Sequence, residues 1–189
     1  MSKKIPIDLF LTEHLPWADK GHIPSILAVA KYYLDRAETD ADIHQAISWY
    51  EVGVRHGSEE ALLLLGQIYE FGWGVPADCD KAIELYTRAE AAGDFKGAYL
   101  LGLLYDFGSC ERKDARKALH HYQVAAKRGH LVSAIRVSKF MRSGYLGRAR
   151  RLTGWAFGLL ALTKMLLYIL TGRRGDRIWG AGRLVRDTP

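Results

Sequence analysis

The adjacent pair His120 and His121 would carry the most obvious chemistry in this 189-residue chain if a third ligand stood near it. Neighbours on a helix point about 100° apart, and a metal site needs three or four convergent donors. No further His, Cys, Asp or Glu pattern accompanies the pair, so it reads as solvated or packing imidazoles. Gly72 and Gly74 have one residue between them, but no strand precedes them and the spacing of a phosphate loop is missing, which leaves a turn. Two cysteines, Cys79 and Cys110, stand in a chain whose start (Lys3, Lys4, then Ile5 to Leu15 interrupted by Asp8 and Glu13) does not read as a secretory leader. Free thiols are therefore expected. No nucleophile–base pair stands out. The sequence thus offers no catalytic residue, no metal ligand, no cofactor site and no small-molecule substrate, and an enzyme is not expected.

The elements that hold these residues are set by a period. Gly21, Gly57, Gly93 and Gly129 are each 36 residues from the next, and a fixed period of that size marks stacked supersecondary units. Residues 58–93 lie over 94–129 without a gap, matching Leu64/Leu100, Leu65/Leu101, Gly66/Gly102, Tyr69/Tyr105, Phe71/Phe107 and Gly72/Gly108. The match continues through Asp78/Asp114, Lys81/Lys117, Ala82/Ala118, Tyr86/Tyr122 and Ala89/Ala125. Residues 22–57 follow more loosely, through Tyr33, Asp42, Ala46 and Tyr50. Within a unit, Ala98, Leu101, Gly102 and Tyr105 recur at three- and four-residue steps, one face of a helix. Gly108 breaks that helix, Asp114 is a good N-cap for the next, and Ala118, Tyr122 and Ala125 line the second helix. The fold class is all-α, built of helix-turn-helix repeats in which no pair can bury its apolar face alone.

These residues resemble the Sel-one-like repeat (SLR) family, close in architecture to tetratricopeptide repeats. The resemblance rests on Leu65-Gly66, Tyr69, Gly72, Asp78, Lys81-Ala82 and Tyr86, and on Leu101-Gly102, Tyr105, Gly108, Asp114, Lys117-Ala118, Tyr122 and Ala125-Ala126. In the first unit Ala30 and Arg36 replace the two glycines of the first helix. The resemblance implies a right-handed α-solenoid used as an adaptor for protein complexes, often beside membranes, with no shared catalytic residues. Some secreted members of the family carry disulfides. The domains read as an N-terminal cap (1–21), repeats (22–57, 58–93, 94–129 and a partial 130–147) and a C-terminal region (148–189).

That last region departs from the repeat. After Arg148, Arg150 and Arg151, residues 152–172 carry one charge, Lys164, and Arg173 and Arg174 follow. The stretch is 21 residues long, close to the roughly 20 that span a hydrocarbon core. Residues 1–147 carry 18 Lys/Arg against 19 Asp/Glu, whereas 148–189 carry 9 against 2. Trp155, Phe157, Leu160, Lys164, Leu167, Arg173 and Arg174 are the expected membrane contacts, with basic ends suited to anionic lipid. Basic residues flank both ends, so the asymmetry that sets a topology is missing. Gly154-x-x-x-Gly158 would suit close helix packing in the membrane. The competing reading is a capping helix over the open end of the repeats. Nucleic acid is not expected, because the arginines follow an apolar helix and do not interleave with aromatics on a groove.

In the architecture the resemblance implies, first helices line the concave side. Their positions not needed for stacking include Leu64, Gln67, Tyr99, Leu100, Leu103, Arg136 and Lys139, a groove for a peptide or helix of a protein partner. The expected function is an interaction scaffold, cytoplasmic and associated with a membrane or membrane protein complex through its C-terminal helix. The alternative is a soluble accessory or regulatory subunit of an enzyme complex, with 152–172 as the cap.

Overall fold

The computed structural model describes residues 7–107, 111–143 and 150–171, and every regular element among them is an α-helix. The chain divides into two compact units, residues 1–92 and 93–189. The first holds α1 (Ile7–Ala18), α2 (Ile23–Asp35), α3 (Asp40–Arg55), α4 (Glu59–Phe71) and α5 (Cys79–Ala91). The second holds α6 (Phe95–Phe107), α7 (Ala115–Lys127), α8 (Leu131–Arg142) and α9 (Arg150–Thr171). Within each unit every helix packs on the next in chain order.

Helix ends explain the period. Gly21, Gly57, Gly93 and Gly129 all adopt left-handed backbone, with φ of 84°, 82°, 103° and 95°, a conformation that costs an L residue about 1–2 kcal/mol. A Cβ on Gly57 or Gly93 would meet nothing within 4 Å, so the backbone angle alone demands glycine there. The residue after each glycine opens the next helix. Ser58 Oγ accepts from the Ala61 amide at 3.2 Å, and Asp94 Oδ1 accepts from the Lys96 amide at 2.8 Å. At the same place His22 and His130 cap nothing; each ring Nδ1 lies 2.8 Å from a serine hydroxyl three residues on, Ser25 or Ser133.

Second helices start on acids. Asp78 accepts from the Lys81 amide at 2.9 Å, and Asp114 from the Arg116 and Lys117 amides at 2.9 and 3.1 Å. Asp42 occupies the same register but does a different job. Helix α3 begins earlier, with Thr39 as N-cap, and Asp42 closes a capping box in which its carboxylate accepts from the Thr39 amide at 3.0 Å. The Thr39 hydroxyl, then the Glu38 and Thr39 amides, hold this carboxyl below its usual range. Gly72 closes α4 in left-handed backbone, whereas Arg36 closes α2 with φ of −112°. The first unit therefore turns within residues 36–39, and the second turn takes residues 72–78.

The core repeats with the same period. Tyr50, Tyr86 and Tyr122 are fully buried, with Ala46, Ala82 and Ala118 beside them. Close approach is bought by glycine: a Cβ on Gly66 would stand 2.5 Å from Tyr86 Cε1, and one on Gly102 2.5 Å from Tyr122 Cδ1. Each ring is pinned by its phenol. Tyr86 donates to Glu70 Oε2 at 2.8 Å and Tyr122 to Asp106 Oδ2 at 3.1 Å. Burial, above all, pushes both phenols up, and takes that of Tyr50 to about 12. At the start of the chain Leu11 and Leu15 of α1 pack against Ala18, Ile26 and Val29, and Phe10 stacks on Tyr32 at 4.8 Å.

Helix α9 packs against α8 through its small residues. A Cβ on Gly154 would stand 2.7 Å from Met141 Cβ, one on Gly158 2.5 Å from Ser138 Oγ, and Ala161 is buried on the same stripe. The Gly154-x-x-x-Gly158 spacing thus serves close packing inside the protein, against α8 and not in lipid. Among the described residues no helix is long and apolar enough to cross a membrane. Cys79 is disulfide-bonded, and no free cysteine occurs among the described residues. That corrects the expected free thiol, which rested on an argument about compartment and not on geometry. Cys110, Gly108 and Gly144 lie outside the described residues.

Candidate protein-binding surface

The first helices carry the candidate residues, and the two units must be taken separately. In the first unit Leu64 and Gln67 are half-buried on α4. In the second, Tyr99, Leu100 and Leu103 are half-buried on α6, with Arg136 half-buried and Lys139 exposed on α8. Those of the second unit do not form one open patch. Tyr99 meets the His130 ring edge-on at 4.4 Å, and Phe95 stacks on the same imidazole at 4.9 Å. Burial in this aromatic clamp holds His130 down at about 4, against the opposing charge of Asp94.

Arg136 is drawn into a shared site. Its Nη1 donates to Asp106 Oδ2 at 3.2 Å, the same oxygen that accepts from the Tyr122 phenol. The guanidinium lies 5.2 Å from the Phe107 ring centre and 5.4 Å from that of Tyr122, within cation–π range. Its Nε is buried without a hydrogen-bond partner among the described residues. Arg136 thus ties α8 to α6 and α7, and only part of its charge faces outward. In the first unit Lys81 plays a related part, with Nζ donating to the Tyr69 hydroxyl at 2.6 Å and standing 3.9 Å from its ring centre. That hydrogen bond raises the lysine above its usual range.

Sequence reasoning missed the large apolar groups that end the first helices. Phe71 is 56% exposed and Phe107 66% exposed. Trp73 is exposed beside Phe71, with ring centres 5.5 Å apart. The signal was present, because Phe71 and Phe107 match at the 36-residue period, but a repeated phenylalanine reads as core until its exposure is known. Of the expected membrane contacts, Trp155, Leu160, Lys164 and Leu167 are exposed on α9. Arg173, Arg174 and the side chain of Phe157 lie outside the described residues.

Among the described residues no three His, Cys, Asp or Glu side chains gather as a metal site. His120 and His121 have ring centres 5.2 Å apart, and His121 stacks on Tyr105 at 5.8 Å. A Cβ on Gly74 would collide with Ile43, so the Gly72–Gly74 turn is packed onto α3.

Helix pairs at a 36-residue period, with left-handed glycine joints and buried tyrosines facing helix glycines, define an SLR-type repeat protein. The Sel1 repeat family model matches residues 24–58, 59–94 and 96–130, more than half of the chain, and the chain belongs to that family. A Sel1 repeat protein from Oxalobacter formigenes has a similar crystal structure, with a TM-score of 0.60 and 24% identity over 76% of this chain and 60% of the other. The protective antigen c5321 of uropathogenic Escherichia coli, which displays an SLR fold, aligns with a TM-score of 0.61 and 20% identity over 87% of this chain and 37% of the other. These likenesses show the fold alone, the right-handed α-solenoid class. No curated protein matches the chain. Sel1 repeats generally mediate protein–protein interaction, and proteins built of them are typically non-catalytic scaffolds.

Proposed function

We propose that this protein is an adaptor. Its repeats hold a peptide or helix of a protein partner, and its C-terminal region associates with a membrane or a membrane protein complex. The observation that carries the reading is the exposure of Phe71 and Phe107 at one repeat position in successive units. Exposed aromatics of this size are the anchors that interfaces use, and neither is needed for the core. Leu64, Gln67, Leu100, Leu103 and Lys139 supply the remaining contact positions on first helices, with the outward part of Arg136 as a donor to a partner carboxylate. A photo-crosslinking residue at position 107 tests this in cells. One discrete protein adduct is expected, reduced about tenfold or more by Lys139→Glu in the same unit, with the helical signal unchanged because Lys139 is exposed. An adduct that Lys139→Glu leaves intact, or no adduct at all, overturns the reading.

One observation favours the second reading, a soluble accessory subunit capped by 152–172. Gly154, Gly158 and Ala161 fit against α8 as a cap would. On that reading Lys139→Glu, at an exposed position, lowers the activity of the partner enzyme and leaves membrane fractionation unchanged.

A further inference from the structure

We infer that α9 is an in-plane anchor for anionic lipid, lying along the bilayer surface without crossing it. The inference rests on the membrane clause of the proposed function and narrows it to lipid. It starts from the two sides of one helix. Gly154, Gly158 and Ala161, at steps of four and three, are taken up by α8. Away from that stripe lie Trp155, on the flank nearest α8, then Leu159, Leu162, Leu166 and Leu170, at steps of four, three, four and four, with Leu160 further round the helix. Met165 and these residues are 41% to 74% exposed. So many large apolar groups on one helix exceed what a solvated face carries singly.

Charge identifies the occupant. The region 148–189 carries 9 Lys/Arg against 2 Asp/Glu, with arginines before and after the apolar stretch. Two copies meeting through this face would bring like-charged ends together, whereas anionic headgroups receive them. Helix α8 adds to the same sign: Lys139 is exposed, and the Arg142 guanidinium stands 4.6 Å from the Trp155 ring centre. Lys164 is exposed on the flank between Leu160 and the α8-facing Ala161. A lysine there reaches headgroups by its stem while its neighbours enter the acyl boundary. Amid the leucines, the Thr163 hydroxyl donates to the Leu160 carbonyl at 2.9 Å. A helix with one side committed to α8 presents the other to lipid, and no described helix is long and apolar enough to cross.

The test is flotation of the full chain with vesicles of phosphatidylcholine alone, or with about 30% phosphatidylserine. Binding is expected to the phosphatidylserine vesicles, at least about tenfold tighter than to phosphatidylcholine, and reversed by high salt. Leu159→Gln with Leu162→Gln abolishes it. Arg173→Gln with Arg174→Gln weakens it about 30-fold, from about 1 kcal/mol per basic residue. Spin labels at 159 and 170 report equal shallow depth, because those positions stand about 16 Å apart along the helix axis. Equal binding to both vesicles, or depths that differ by most of that length, overturns the proposal. So does a monomer that floats with neither vesicle. A dimer dispersed by Leu159→Gln also overturns it and makes the occupant a second copy. The position-107 adduct reads the repeats independently, so its persistence in a chain that binds no vesicle leaves the adaptor's protein-binding half standing.

Discussion

Replacing Gly102 by alanine puts one methyl group where the structure has no room. The new Cβ would stand 2.5 Å from both Cδ1 and Cε1 of Tyr122, about 1 Å inside ordinary carbon contact. The ring cannot swing away freely, because it is fully buried and its phenol is held by Asp106, which Arg136 also holds. Overpacking of this kind costs about 1–3 kcal/mol. Alanine returns about 1 kcal/mol as the better helix former, so the expected net loss is about 0–2 kcal/mol. For a chain of this length that lowers Tm by up to about 8 °C. The assay is urea and thermal unfolding followed by circular dichroism and by tryptophan fluorescence. A companion cycle removes the ring: in a Tyr122→Leu background, Gly102→Ala should become neutral or stabilising, a coupling of about 1–3 kcal/mol. Gly102→Ala that stabilises the wild-type chain, or costs the same in both backgrounds, refutes the close-approach argument. The first unit supplies a natural comparison, since Ala30 stands at this register opposite a fully buried Tyr50.

His130 supplies an acid-side prediction. Its folded pKa is held down at about 4, chiefly by burial, against about 6.5 when unfolded. Between those values the unfolded chain binds the extra proton, so stability falls as pH drops from about 6.5 towards 4 and is unaffected above that window. Discounted for the half-exposed ring, the loss is about 1–2 kcal/mol, and His130→Asn removes the slope in urea titrations at pH 7 and 4.5; a slope that survives it refutes the assignment. Cys79 is bonded, so maleimide should label no thiol on the denatured, unreduced chain and two after reduction, with a stability loss of about 2–4 kcal/mol on reduction. Two thiols labelled before reduction would refute it, and the same assay on protein taken from cells reports the redox compartment in which the cytoplasmic expectation must hold.

The period was legible because glycine is a backbone requirement, and a backbone requirement survives in the sequence as one residue type. Tyr86 and Tyr122 were legible for the same reason, each forced by the glycine it packs against. The N-caps after the joints were not, since Ser58 and Asp94 do in one way what His22 and His130 leave to other contacts, and three different residue types hide a shared place. Asp42 misled by register, because a short turn moved the start of α3 while the aspartate stayed. At the candidate surface, subtraction of stacking positions found Lys139 exposed but could not see that Arg136 is tied to Asp106 or that Tyr99 clamps His130. Those are contacts between helices, and single-chain periodicity carries no information about them. Phe71 and Phe107 were legible as a repeated pair, but a hydrophobic identity does not say whether it is buried. In α9 the small-residue spacing was read as close helix packing in a membrane, with a cap over the repeats as the competing reading of 152–172, because nothing in 148–172 says that α8 is the neighbour.

The open space around Gly57 and Gly93 bears on how such arrays grow. A joint that asks for one backbone angle and meets no side chain leaves its own position undemanding, while the helix faces beside it must still match, as Gly53 does against Ala61 across the first of them. Residues 58–93 begin just after one such joint and end on the next, so a second copy of that segment changes repeat number only where its stacking faces meet their like. The limit lies at the other end of the chain, where Gly154 and Gly158 are shaped to Met141 and Ser138. A designer lengthening this array should therefore keep the stacking faces of the copied segment and leave the last helix alone.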